Sequence, residues 1–175
     1  MIMSFNPSIH HRKSIRLKDY DYSKSGLYFI TICCKDNACI FGEIYNGDMN
    51  LNNLGNIAKN CWLQIPDHFP NAFLHEFIIM PNHVHGIIEL INLDVTISET
   101  NNVNKFQNMI PKSIGSIVKG FKIGVTKWAR TNSNIETVWH RNYYENIIKN
   151  QISYQNISSY VVNNPKKWHD DKFFK

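Results

Sequence analysis

The chain has 175 residues, of which 43% are hydrophobic and 19% charged, with a formal net charge of +5. That length and apolar share fit one domain with a real core and exclude a disordered acidic or basic chain. No apolar run approaches a membrane span and residues 1–15 lack a signal-peptide stretch, so the expectation is a soluble cytoplasmic protein with a mild attraction for polyanions such as nucleic acid.

Residues 1–25 read as a polar, basic arm carrying Arg12, Lys13, Arg16 and Lys18. Such a segment is either a solvated tail or a nucleic-acid contact. The folded domain is expected over 26–175. Leu27 to Cys34, LYFITICC, is β-branched and aromatic and predicts a buried strand. Cys33, Cys34, Cys39 and Cys61 form no C-x-x-C pair and have no histidine at zinc-finger spacing, so they read as reduced thiols. The stretch CIFGEIYNGDMNLN predicts a hairpin, because Asn46-Gly47 tolerates positive φ in a tight turn. Asn53 is the expected cap of a helix with apolar positions Leu54, Ile57, Ala58, Cys61, Trp62 and Ile65, closed by Pro66.

Ala72 to Met80 predicts another strand, Pro81-Asn82 a turn, and His83 to Leu90 the returning strand. This pair is expected at the centre of the sheet. Residues 92–111 are rich in Asn, Ser and Thr and predict a mobile loop. A helix is expected from Pro111. Its apolar stripe is Ile114, Ile117, Val118, Phe121, Val125, Trp128 and Ala129. Lys112, Lys119, Lys122, Lys127 and Arg130 fall on or near the opposite face. A solvated helix usually carries mixed charge, so a face of one sign stands out. Val138–His140 reads as a short strand, followed by Arg141, Tyr143 and Tyr144. A last helix is expected from about Gln151 to just before Pro165. The fold class is therefore α+β, an antiparallel sheet with packed helices.

Two pairs of residues can carry chemistry. His83 and His85 are two apart on a strand, so both imidazoles point to the same side and could begin a metal site. Ordinary core histidines are the bland alternative. Tyr160 and Asn164 are four apart on a helix and share a face. A tyrosine nucleophile and an amide ligand could meet there, and two histidines with one amide suit Mg²⁺ or Mn²⁺ acting on a phosphate. A packed aromatic beside a helix-capping asparagine explains that spacing equally.

Longer strings decide between these readings. MPNHVHGIIEL at 80–90 with YVVNNP at 160–165 resembles the single-tyrosine HUH transposases, and most closely their REP-associated tyrosine transposase branch. KGFKIGVTKW, WHRNYYENIIKN and YDYSKSGLYFITICC are similar to that family too, so the resemblance runs from about residue 10 to 172. It implies a ferredoxin-like, RNA-recognition-like HUH nuclease domain. It implies that His83 and His85 bind metal, that Tyr160 is the nucleophile and that Asn164 is a third, amide-type ligand. Better-known insertion-sequence members have glutamine at that last position. The implied reaction cuts single-stranded DNA next to a hairpin or repeat. It leaves a 5′-phosphotyrosine and a free 3′-hydroxyl, and a second 3′-hydroxyl then rejoins the strand without ATP. Lys119, Lys122 and Arg141 are the leading phosphate contacts. Relatives of this type act as homodimers that exchange the tyrosine helix, or as monomers. A non-catalytic nucleic-acid module and a water-using metallonuclease relying on Glu76 are the rival readings.

Overall fold

The computed structural model describes residues 21–92 and 112–174. Nearly all of the basic arm and of the loop expected at 92–111 lies outside them. Strand β1 (Gly26–Cys33) is the axis of the fold. Its alternation puts Tyr28, Ile30 and Ile32 into the core and sends Phe29, Thr31 and Cys33 to the other face. A tight hairpin follows, β2 (Gly42–Tyr45) and β3 (Asp48–Leu51), forming a separate two-stranded sheet. Its turn is Asn46-Gly47, with φ of 52° and 82°. This is the pairing that two positive-φ residues favour.

Helix α1 (Asn53–Leu63) is capped by Asn52, whose side chain accepts from the Gly55 amide, and not by Asn53. Either neighbour has the right chemistry; the chain direction leaving β3 selects the first. Pro66 does not close α1. It opens a one-turn helix, α2 (Ile65–His68), where its missing N–H costs nothing. Strand β4 (Ala72–Ile79) then pairs with β5 (His83–Leu90). Helix α3 (Ile114–Asn132) starts after Ser113, which accepts from the Ser116 amide, rather than at Pro111. Lys112 consequently precedes the helix, with φ of 62°.

The short strand expected at Val138–His140 amounts to one bridge, Cys34 to Trp139. Val138 and Trp139 are buried, with Trp139 packed against Phe41 and Phe121. The actual strand is β6 (Tyr144–Ile148), an edge strand whose outward side chains are exposed. Helix α4 (Gln151–Asn163) ends just before Pro165, as expected.

The main sheet has the order β4-β5-β1-β6, and every pairing is antiparallel. The expected central position of the β4–β5 pair is therefore half right. β5 and β1 are central, and β4 is an edge covered by contacts with α2 and α4. Helices α1 and α3 pack together, and their apolar residues share a core with Tyr28, Ile30, Val84 and Ile88. The strands and these two helices give the β-α-β-β-α-β order of a ferredoxin-like fold. Gly86 belongs to that core face: a Cβ there would fall inside the Trp62 indole of α1. Helix α4 contacts β4 and β5 separately from this core. Among the described residues, no helix is long and apolar enough to cross a membrane.

Candidate active site

β5 alternates across the sheet, so Val84, Gly86 and Ile88 face α1 and α3 while His83 and His85 face α4. The two imidazoles lie 4.4 Å apart between ring centroids, and both are buried. His83 Nδ1 is 2.9 Å from Asn82 Oδ1. Its Nε2 is buried and has no hydrogen-bond partner. His85 Nδ1 is 2.9 Å from Thr31 Oγ1, on the β1 residue directly opposite in register. The Phe29 ring stacks on His85 at 5.3 Å, and Phe173 lies 4.8 Å from His83.

Helix α4 brings in the second pair. Asn150 caps its first turn through the Ser153 amide. One face then carries Tyr160 and Asn164 to the histidines. The Tyr160 hydroxyl is 3.2 Å from His85 Nε2 and 3.3 Å from Asp171 Oδ2. Asn164 is buried; its amide nitrogen donates to Asp171 Oδ2 at 3.1 Å, and its Oδ1 has no partner.

Asp171 was not foreseen. It follows the 3₁₀ segment Pro165–Asp170, and His83, His85 and Asp171 offer ligand atoms that all lie within 4.8 Å of one another. The Phe173 amide donates to Asp171 Oδ1 at 2.7 Å and holds the carboxylate in place. Two buried ligand atoms without partners, His83 Nε2 and Asn164 Oδ1, stand beside this cluster. Buried polar atoms are rarely left so, and a divalent cation with nitrogen and oxygen ligands satisfies both. The residues present therefore fit a metal ion.

Burial lowers His83 to about 3. Burial also holds His85 well below the ordinary imidazole value, and the neighbouring His83 adds to this. Both rings are thus neutral and able to ligate at neutral pH. Burial raises the Tyr160 phenol, the Asp171 charge raises it further, and a hydrogen bond to Asn164 opposes them. The phenol does not ionise unaided. The depressed histidines also fix a pH dependence. An unfolded chain takes up protons from its ordinary value of 6.5 downward, whereas the native His83 refuses them until about 3. Stability is therefore complete above that window and is lost as pH falls through it. For metal-free protein, His83 alone is expected to cost about 4 kcal/mol by the lower end. Urea midpoints measured across the window should fall more steeply for wild type than for His83→Gln. Parallel slopes would show that His83 titrates normally.

The basic residues gather elsewhere. Lys119, Lys122, Lys127, Arg130 and Arg141, with Tyr143, line a groove of about 730 Å³ that has no acidic side chain in its wall. The groove lies along α3, across the sheet from the histidines. Lys119 and Arg141 are exposed there. Lys122 is more committed: its ammonium donates to the carbonyls of His140 and Asn142 at 2.9 and 3.0 Å, and burial lowers it to about 8. Tyr154 does not join Tyr160. Its hydroxyl lies 3.1 Å from both His75 Nδ1 and Glu76 Oε2. Glu89 is 3.0 Å from His75. Neither glutamate belongs to the histidine cluster, which takes its carboxylate from Asp171.

No family model matches the chain. An uncharacterized protein of Haemophilus influenzae is 50% identical over 181 residues, 99% of each chain. A second H. influenzae protein, provisionally named a REP-associated tyrosine transposase, is 24% identical over 149 residues, 84% of this chain and 74% of its own. A solved REP-associated tyrosine transposase bound to a REP hairpin superposes with a TM-score of 0.60 at 16% identity, over 87% of this chain and 74% of that one. The chain is thus similar to REP-associated tyrosine transposases, in sequence to one of them and in fold to another. The α+β fold, an antiparallel sheet with packed helices, is shared with that solved structure. The histidine pair and the tyrosine helix lie on the face of the sheet that α1 and α3 leave free.

Proposed function

We propose that this protein is a REP-associated tyrosine transposase, a metal-dependent single-stranded DNA endonuclease and strand transferase acting at hairpin or repeat DNA through a 5′-phosphotyrosine. The observation that carries the reading is the Tyr160 hydroxyl, within 3.3 Å of both His85 Nε2 and Asp171 Oδ2 and beside two unpartnered ligand atoms. His83 Nε2, His85 Nε2 and Asn164 Oδ1 would hold a Mg²⁺ or Mn²⁺ ion, with the Asp171 carboxylate in the same cluster. When bound, the ion supplies Lewis-acid stabilisation of phosphate charge. Tyr160 forms the bond to phosphorus, and the bond to the 3′-oxygen breaks. Asp171 Oδ2 would take the phenolic proton and return it to the departing 3′-oxygen, which leaves as the hydroxyl, and Phe29 and Phe173 would shield the reacting groups from water. A returning 3′-hydroxyl reverses the same exchange, so bond energy is conserved and no nucleotide triphosphate is consumed.

Lys119, Lys122 and Arg141 act as phosphate contacts in this reading, with Lys122 contributing mainly by holding the 140–142 turn. That turn leads from the groove into β6 at Tyr144, whose register partner on β1 is Thr31, itself paired with His85. A strand lying over this edge meets the half-exposed Tyr144 ring, a stacking platform, before it reaches Tyr160. Tyr160 lies within reach of His85 of its own chain, the arrangement that action in cis requires. Chemistry on DNA fits a cytoplasmic protein.

The test is incubation with single-stranded hairpin DNA from the flanks of the gene and Mn²⁺ or Mg²⁺, followed by a denaturing gel and peptide mapping. A metal-dependent covalent adduct mapped to Tyr160 is expected. Cleavage with no adduct would instead support a water nucleophile.

A further inference from the structure

Asn82 sits in the turn between β4 and β5 and is fully buried. Both polar atoms of its side chain are engaged. Its amide nitrogen donates to the carbonyl of Asn37 at 3.1 Å and to the carbonyl of Phe173 at 2.7 Å. Its Oδ1 lies 2.9 Å from His83 Nδ1. Its own backbone carbonyl accepts from the Cys34 amide at 2.8 Å, so the residue is held from several sides.

The direction of these bonds has a chemical consequence. A backbone carbonyl oxygen can only accept. The two carbonyls therefore fix which end of the Asn82 amide is the NH₂ group. The end that faces His83 must be the oxygen, and an amide oxygen cannot donate. The hydrogen between the two groups then belongs to His83 Nδ1. A neutral imidazole carries one N–H, so Nε2 keeps its lone pair. That atom is the buried, unpartnered nitrogen beside His85 and Asp171. In the other tautomer, lone pairs on Nδ1 and Oδ1 would face each other in a site closed to water.

We infer that Asn82 is a positioning residue that locks His83 in the Nδ1–H tautomer and so presents Nε2 as the ligand atom for a divalent cation. The lock is shared with the segment after α4. Phe173 accepts from Asn82 through its carbonyl and donates to Asp171 through its amide. One side-chain amide thus joins a histidine on β5 to the turn that supplies the carboxylate. The role as a ligand holder rests on the metal reading above, but the tautomer does not.

Histidine-labelled, metal-free protein at neutral pH tests this through long-range ¹H–¹⁵N correlation spectra. Wild-type His83 is expected to show a protonated Nδ1 and a bare Nε2. In Asn82→Ala a substantial share of Nε2–H should appear, and Mn²⁺ should bind about 10–100-fold more weakly by calorimetry. A wild-type His83 protonated at Nε2 overturns the inference, whatever the variant does. So does an Asn82→Ala protein whose His83 stays wholly Nδ1–H. A locked wild-type tautomer that is released in Asn82→Ala, in a protein that binds no Mn²⁺, upholds the lock and removes the metal reading instead.

Discussion

Tyr160→Phe is expected to abolish covalent attachment to DNA, with cleavage falling by about 10⁴-fold or more, the loss typical of removing a nucleophile. The change deletes one oxygen and leaves the ring. Its edge contact with Phe29, at 6.1 Å between centroids, survives. The lost hydroxyl contacts involve His85 and Asp171 on a side chain that is 41% exposed, so stability should change by no more than about 1 kcal/mol. Mn²⁺ affinity should stay close to wild type, because the ligand atoms are untouched. Gel analysis of the adduct together with calorimetry separates these effects. Adduct formation that persists in the variant would move the nucleophile to another residue, and Tyr144 would be the first to examine.

His85→Ala is expected to lose stability and metal affinity as well as the adduct. Its ring touches His83, Phe29 and Tyr160 and bonds to Thr31, so its removal empties a buried site at the centre of the sheet. A loss of about 2–3 kcal/mol of stability should follow. Mn²⁺ affinity should drop by more than about 100-fold, beyond the effect of losing an outer partner. Adduct formation should vanish with it, although Tyr160 is intact. A folded His85→Ala protein that retains wild-type metal-dependent cleavage would remove the histidine pair from the chemistry. The two variants together distinguish a missing nucleophile from a missing cation.

The strands with continuous apolar or alternating patterns were legible in the sequence. LYFITICC, AFLHEFII and HVHGIIEL each formed where their composition predicted. Less legible was order within the sheet, because β4 is an edge whose faces are covered by helices and reads like a central strand. β6 was hidden for the reverse reason: an edge strand with Tyr144 and Asn146 outward carries little apolar signal, while buried Trp139 just before it carries more. Spacing alone put His83 beside His85 and Tyr160 beside Asn164, since period-two and period-four geometry is local. Asp171 had no such signal. It lies in KKWHDDKFFK, without periodicity, and reaches the site only because a 3₁₀ turn after Pro165 folds it back. The glycine after the histidines also had no visible reason until Trp62 was found against it.

The geometry of the site also sets an order of events during synthesis. The two histidines belong to β5, while the tyrosine that meets them comes 75 residues later. At about 5–20 residues per second, the ribosome needs roughly 4–15 s to cover that interval. During it, the nascent chain already holds the histidine strand but has neither α4 nor the turn bearing Asp171. In the proposed reaction, a half-made chain can therefore present an imidazole pair to cellular cations yet has no Tyr160 with which to attach itself to DNA. On that reading, strand breakage is withheld until α4 has left the exit tunnel and docked.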